Sequence, residues 1–192
     1  MRKRQLTYKE IDEYGSIQYW KVTGGETLLH RTNGPAVICT DGAKSWFVNG
    51  KRHRVGGPAI TCKDGSNFWY LDGDPHRIGG PAVYGRSGSE EWWVNGKLHR
   101  LDGPAIIDNR GNRSWFIDGK LNRLDGPAIE FYDGSKSWYR DEKLHRLDGP
   151  AVTRSDGHKA WCINGCEMSE YDFNLFLSDR REDNAILLGR FL

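Results

Sequence analysis

The sequence repeats every 23 residues, and this period restricts the chain to a stack of small equal units. Three residue types keep one register over six copies. The tryptophan column is Trp46, Trp69, Trp92, Trp115, Trp138 and Trp161. The arginine column is Arg31, Arg54, Arg77, Arg100, Arg123 and Arg146, and the proline column is Pro35, Pro58, Pro81, Pro104, Pro127 and Pro150. One unit of this size cannot bury an apolar face alone, so neighbouring copies must stabilise each other.

Turn residues divide each unit into short strands. Asn-Gly or Asp-Gly follows an apolar segment at residues 49–50, 72–73, 95–96, 118–119 and 164–165, as in type I′ hairpin turns. A second turn is predicted at Asp41-Gly42 and its equivalents, and the Gly-Pro step predicts a third reversal. Glu142 replaces the hairpin glycine in one copy, where we expect a distorted turn. Between residues 20 and 165 these signals leave no room for a helix.

The predicted fold is all-β: a single elongated, twisted antiparallel sheet or solenoid of about six 23-residue hairpin repeats with a small C-terminal helical cap. The predicted domains are an N-terminal strand or cap over 1–19, repeats over 20–165 and the helical cap over 166–192. Trp20 is aligned with the tryptophan column, which makes Gly25-Glu26-Thr27 an insertion in an irregular first copy. Ser169 is the predicted N-cap of the C-terminal segment. Apolar residues there predict one broken helix or two short ones: Phe173, Leu177, Ile186, Leu187 and Phe191.

Two periodic apolar columns are the predicted core. One is the tryptophan column, for which burial of each side chain is worth about 2–3 kcal/mol. The other consists of Val37, Ile60, Val83, Ile106, Ile129 and Val152. If each copy adds two strands, the stack grows by about 10 Å per copy.

The pattern W-x-x-N-G-K-x-H at this period resembles MORN repeats, which are β-hairpin repeats of the same length. The chain departs from them because arginine stands where the MORN glycine follows the histidine. The longer form H-R-x-D-G-P-A is more similar to variant repeats found in proteins of large tailed bacteriophages. The resemblance covers residues from about 20 to 165. It implies an interaction scaffold and a phage protein acting on a host component, and it brings no catalytic residues.

The recurring histidines are interpreted as structural. They are His30, His53, His76, His99 and His145, and Asn122 stands at the one remaining equivalent position. A zinc ion needs ligands within about 2 Å of it, whereas equivalent residues of adjacent copies stand about 10 Å apart. We expect no metal and no cofactor. The cysteines (Cys39, Cys62, Cys162 and Cys166) are expected to be free thiols rather than a disulfide framework.

The arginine column has two interpretations, a hydrogen-bonded scaffold or a row of cations for an anionic ligand. Asp102, Asp125 and Asp148 lie two residues after the last three arginines and can neutralise them. Arg31, Arg54 and Arg77 lack that aspartate, so any anion site is predicted there.

The second aromatic column is the preferred candidate for recognition. It consists of Phe47, Tyr70, Trp93, Phe116 and Tyr139, with Lys21 and Cys162 at the equivalent end positions. The residue type changes from copy to copy, which is typical of recognition rather than packing, and large aromatics beside arginine are typical of binding hot spots. The alternative is a second core, if another layer covers this face.

The sequence therefore predicts a non-enzymatic binding protein, because catalysis needs unique polar residues that converge, and here most polar residues are copies of one another. The preferred partner is a host protein or protein complex, bound through one face of the sheet by a phage-encoded inhibitor or anti-defence factor. The alternative is a nucleic-acid or nucleotide-binding protein that uses the arginine and aromatic columns. We expect a monomer in the host cytoplasm with no membrane association, since no apolar run is long enough to span a bilayer.

Charge is distributed unevenly along the sequence. Residues 1–86 hold 13 Lys+Arg against 8 Asp+Glu, and residues 87–192 hold 15 against 18, within an overall charge of +2. The N-terminal part is thus basic and the C-terminal part acidic, which can orient an approaching partner.

Overall fold

Among residues 6–189 the regular elements are antiparallel β-strands arranged in hairpins, followed by one C-terminal helix. The structure is a computed structural model that describes residues 6–189, with side-chain surroundings described to residue 179. It divides into two compact units, Met1–Asn109 and Arg110–Leu192. The predicted all-β class with a C-terminal helix is confirmed.

Each regular copy contributes four strands of two residues. In one copy these are Val37–Ile38, Lys44–Ser45, Phe47–Val48 and Lys51–Arg52. The first two pair with each other and, through Lys44–Ser45, with Ile60–Thr61 of the next copy, which builds the main antiparallel sheet. The last two close a separate hairpin with Phe47 opposite Arg52. Each regular copy therefore adds two strands to the main sheet and closes a separate two-stranded hairpin with the other two.

The strand order in the main sheet of each unit follows the chain, as the hairpin pattern requires. The strands of the first unit are Leu6–Ile11, Ile17–Thr23, Glu26–Leu29, Val37–Ile38, Lys44–Ser45, Phe47–Val48, Lys51–Arg52, Ile60–Thr61, Asn67–Phe68, Tyr70–Leu71, Asp74–Pro75, Val83–Tyr84, Glu90–Glu91, Trp93–Val94, Lys97–Leu98 and Ile106–Ile107. The second unit contains Arg113–Ser114, Phe116–Ile117, Lys120–Leu121, Ile129–Glu130, Lys136–Ser137, Tyr139–Arg140, Lys143–Leu144, Val152–Thr153, Lys159–Ile163, Cys166–Met168 and the helix Glu170–Gly189.

The Asn-Gly and Asp-Gly turns have the backbone that a type I′ hairpin requires. Asn49 has φ 50° and Gly50 has φ 77°, and the other such pairs are alike. The predicted distortion at Glu142 is wrong. Asp141 and Glu142 have φ 49° and 64°, and the hairpin keeps the common register, so the turn tolerates a left-handed glutamate.

In four copies the second turn is a tight loop closed by an aspartate, namely Asp41, Asp64, Asp133 and Asp156. Asp41 accepts a hydrogen bond from the backbone N–H of Ala43 at 2.9 Å, and Gly42 has φ 93°. The N–H of Cys39 donates to the carbonyl of Ala43 across the loop. This is the three-residue connection in which glycine forms a bulge, and it confirms the predicted reversal.

The predicted core is wrong in detail. The tryptophan and Val/Ile columns are half-buried, whereas the wholly buried column is the alanine of Gly-Pro-Ala: Ala36, Ala59, Ala82, Ala105, Ala128 and Ala151. The backbone N–H of Trp46 donates to the carbonyl of Ala59 at 2.8 Å, and the same bond recurs between later copies. Backbones of neighbouring copies meet at this alanine, so the space beside it suits a methyl group.

The first copy is aligned differently from the prediction. Tyr19 occupies the tryptophan position, because its N–H donates to the carbonyl of Ala36 and its carbonyl accepts from the N–H of His30. Trp20 then corresponds to Phe47, and Lys21 is not the second-column residue. The strand Ile17–Thr23 also crosses the predicted boundary at residue 19 and pairs with Leu6–Ile11.

One continuous helix caps the last hairpin, in place of the broken helix or two short helices predicted. Ser169 is its N-cap, as predicted: the Asp172 N–H donates to its Oγ at 3.1 Å, and its hydroxyl donates to the Asp172 carboxylate. Phe173 is buried, and the helix packs on the strand Lys159–Ile163. That strand pairs with Cys166–Met168, so the hairpin continues past residue 165. Phe191 lies outside the described residues, as do the side chains of Ile186 and Leu187.

Candidate binding surface

The arginine column belongs to a structural unit that recurs in every copy. The guanidinium carbon of Arg77 lies 4.0 Å from the centre of the Trp69 ring, and its Nη1 donates to the carbonyl of Pro81 at 3.0 Å. A Cβ on Gly80 would lie 2.8 Å from the guanidinium carbon, so this position leaves room only for glycine. The guanidinium is held between an indole face and a glycine, which accounts for the spacing R-x-x-G-P.

The other arginines repeat this contact at 3.9–4.0 Å from their rings. The predicted neutralisation is also present: Nε of Arg100, Arg123 and Arg146 donates to Asp102, Asp125 and Asp148 at 2.9, 3.1 and 2.8 Å. These bonds lower the pKa of Asp102 and of Asp148.

Arg31, Arg54 and Arg77, the predicted anion-binding arginines, are engaged inside the fold as well. Each stacks on a ring and bonds to a proline carbonyl, and Arg31 also reaches Asn33 at 3.3 Å. A phosphate would have to compete with the stack for these groups. The geometry therefore favours the scaffold interpretation of this column.

Four of the histidines, His30, His53, His76 and His145, connect their copy to the hairpin turn of the next copy in the same unit. Nδ1 of His30 accepts a hydrogen bond from the backbone N–H of Asn49 at 3.0 Å, and His76 accepts one from Asn95 at 3.1 Å. The same contact joins His145 to Asn164. This geometry accounts for the histidine column without a metal.

The second aromatic column is half-buried throughout: Phe47, Tyr70, Trp93, Phe116 and Tyr139. Each of these side chains is therefore partly accessible to solvent, and none of the five is wholly buried. Arg52 joins two copies, with its guanidinium 5.9 Å from the Phe47 ring and 5.5 Å from the Tyr70 ring. The indole N–H of Trp93 donates to Glu91 at 2.7 Å. The corresponding position in the last copy, Cys162, is fully buried.

A column that the sequence analysis missed is far more exposed. This column, here called the aliphatic ladder, consists of the residues that directly follow the last five arginines of the arginine column. They are Val55, Ile78, Leu101, Leu124 and Leu147. In the first unit Val55, Ile78 and Leu101 are 79%, 73% and 78% exposed. In the second unit Leu124 is 91% and Leu147 is 39% exposed.

The sequence signal for the ladder was present in the third letter of H-R-x-D-G-P-A, which is aliphatic in every copy from Val55 onward. Period alone cannot tell a buried aliphatic column from an exposed one, and the residue lies in a loop where strand alternation gives no direction. A single exposed leucine is ordinary, but a periodic series of them is typical of an interaction surface.

Open depressions separate successive members of the ladder. In the first unit one lies between Val55 and Ile78, with Trp69 and Leu71 in its lining. In the second unit a larger one, of about 710 Å³, lies between Leu124 and Leu147 and is lined by Tyr139. Each unit thus has a depression between two ladder residues, and in the second unit that depression is lined by Tyr139 of the second aromatic column.

The cysteines of the described part of the chain form no disulfide. Cys39, Cys62, Cys162 and Cys166 are all free thiols, and burial raises the pKa of Cys62 and of Cys162. Among the described residues no group of three or more histidine, cysteine or acidic side chains could hold a metal ion. Within residues 6–189 no helix combines the length and apolar character needed to cross a bilayer.

Fold and surface together define a tandem β-hairpin repeat protein with an exposed, periodic aliphatic ladder. No protein-family model matches the chain, and no curated protein matches it.

Proposed function

We propose that this chain is a non-enzymatic binding protein that holds a protein partner through the aliphatic ladder and the adjoining second aromatic column. The observation that supports this most is the exposure of four of the five ladder residues, between 73% and 91%. These side chains contribute little to folding, yet an aliphatic residue recurs at this position in successive copies. Apolar ridges beside half-buried aromatics supply the desolvated centre that protein interfaces require.

The nucleic-acid alternative has weaker support. A single-strand binding surface combines free cations with aromatic faces on which bases stack. Here each arginine of the column lies over a ring of its own copy at 3.9–4.0 Å, so the two groups largely satisfy one another.

The narrower form of the proposal rests on the resemblance to phage-borne repeats. In this form the chain is a phage-encoded inhibitor or anti-defence factor that acts as a monomer in the host cytoplasm, and its partner is a host protein or protein complex.

A photo-cross-linking capture experiment tests the role of the ladder. The wild type is compared with the variant Val55→Ser/Ile78→Ser/Leu101→Ser and with a control, Ile11→Ser/Tyr14→Ser. The control removes apolar residues of comparable exposure, 61% and 77%, outside the ladder. All three proteins are expected to unfold at similar temperatures, because surface substitutions change stability by less than about 0.5 kcal/mol.

The expected result is one set of partner proteins cross-linked by the wild type and by the control and lost from the ladder variant, followed by a measured affinity for the purified partner. Equal capture by the ladder variant and the wild type overturns the proposal. Capture that weakens steeply with salt and disappears after nuclease treatment supports the nucleic-acid alternative instead.

A further inference from the structure

The hairpin Tyr139–Leu144 departs from the other copies at two positions. Arg140 stands where the other hairpins carry apolar residues, namely Val48, Leu71, Val94, Ile117 and Ile163. Glu142 stands where they carry glycine, and it keeps the left-handed φ of 64°. A side chain in that conformation costs about 1–2 kcal/mol. Neither substitution improves the hairpin.

Arg140 also faces a second cation. It lies directly opposite Lys143 in the two-stranded hairpin, and both side chains are exposed. Like charges in directly opposite positions destabilise a strand pair. Within residues 6–179 neither group takes part in an ion pair. The fold therefore presents two adjacent positive charges that it does not itself use.

Both cations border the ladder of the second unit. Arg140 and Lys143 line one depression together with Asp141 and Leu147. Arg140 and Leu147 also line the larger depression that extends to Leu124. The two depressions thus form one groove with apolar walls and a cationic end.

Apart from Arg140, Lys143 and Asp141, the charged side chains that line this groove are paired with each other. Asp125 and Asp148 receive hydrogen bonds from Arg123 and Arg146 at 3.1 and 2.8 Å, and Arg123 is also bound to Glu130 at 2.9 Å. Asp141 offsets one of the two free cations. Among the residues that line the two depressions, four cations (Arg123, Arg140, Lys143 and Arg146) stand against three carboxylates (Asp125, Asp141 and Asp148), and the one excess positive charge lies at the Arg140–Lys143 end.

We infer that this groove binds an extended acidic peptide segment of the partner, with an apolar side chain between Leu124 and Leu147 and a carboxylate on Arg140 and Lys143. The inference rests on the proposed function and names the chemistry of the partner. Charge complementarity selects an acidic ligand, and the 91% exposed Leu124 selects one with apolar side chains. A nucleic-acid strand fits less well, because Arg146 covers the Trp138 ring at 3.9 Å and leaves that face without room for a base.

Fluorescence anisotropy with model peptides tests the inference on the full chain. The probe is a labelled peptide of alternating Asp and Leu, and the controls are its Lys-Leu and Asp-Ser counterparts and a single-stranded oligonucleotide. We expect the Asp-Leu peptide to bind most tightly, with an affinity that falls as salt is added.

Two variants locate the site. Arg140→Val restores the apolar residue of the other hairpins, so this variant should fold at least as well as the wild type. Its affinity for the Asp-Leu peptide should fall about tenfold, because one charged hydrogen bond is lost. The matched control is Lys97→Gln, which removes the equivalent of Lys143 from the hairpin that carries Val94, and it should leave binding unchanged.

Several results overturn the inference: no binding of the Asp-Leu peptide, equal binding of the Lys-Leu peptide, unchanged affinity in Arg140→Val, or tighter binding of the oligonucleotide. The first three leave the proposed function intact if Val55→Ser/Ile78→Ser/Leu101→Ser still abolishes partner capture. The inference and the proposed function can therefore fail separately.

Discussion

Replacing Arg77 by alanine should destabilise the first unit by about 2–5 kcal/mol, because it removes two interactions at once. The first is the stack on Trp69 at 4.0 Å, worth about 0.5–2 kcal/mol for a cation over an indole. The second is the charged hydrogen bond to the Pro81 carbonyl at 3.0 Å, worth about 1.5–3 kcal/mol. Arg77→Lys should recover only part of this, since an ammonium cannot stack flat and also reach the carbonyl.

Urea denaturation followed by tryptophan fluorescence measures the change in the free energy of unfolding. Hydrogen exchange should report the same loss locally, at the Trp69 N–H that donates to Ala82 at 2.7 Å. Arg52→Ala is the control, because Arg52 is exposed and its guanidinium lies 5.5 Å from the Tyr70 ring, so we expect a change below about 0.5 kcal/mol. If Arg77→Ala costs no more than Arg52→Ala, the arginine column is not part of the scaffold and its cations are available to a ligand.

Glu142→Gly should raise the free energy of unfolding by about 1 kcal/mol, because glycine tolerates a φ of 64°, and an unchanged denaturation midpoint would contradict the strain. Ala82→Val should cost about 1–3 kcal/mol by overfilling a site with no exposed surface, whereas Ile78→Ala should cost less than about 0.5 kcal/mol in the same assay. The hydrogen bond from Arg100 holds the folded-state pKa of Asp102 below its unfolded value, so its stabilising contribution is complete above the unfolded pKa and is lost as pH falls through the folded pKa. Asp102→Asn should therefore reduce the loss of stability measured by thermal unfolding on acidification below about pH 4, and identical pH profiles would exclude this contribution.

The turns and the hairpin class were predictable from the amino-acid sequence because they depend on local chemistry. Asn-Gly favours positive φ at both central residues wherever it occurs, as at Asn49-Gly50. The helix N-cap at Ser169 is local in the same sense, since its Oγ bonds to the N–H three residues on. The neutralisation of Arg100 by Asp102 also joins neighbours along the chain.

Assignments that depend on contacts between distant residues were less successful. Tyr19, rather than Trp20, belongs to the tryptophan column, because its backbone bonds to Ala36. The sequence offers both aromatic residues side by side, and only the pairing partner distinguishes them. The length of the insertion in the first copy conceals this register.

The period, the turns and the residues repeated in each copy can all be read from the amino-acid order. Tertiary structure alone decided which repeated column is buried and which is exposed. Alanine rather than tryptophan fills the wholly buried positions, because the backbones of adjacent copies meet there, while Arg77 and its equivalents cover the indole rings. Val55 and Ile78 recur as regularly as any core residue yet face solvent, since a repeat interval records equivalence between copies and not the direction of a side chain.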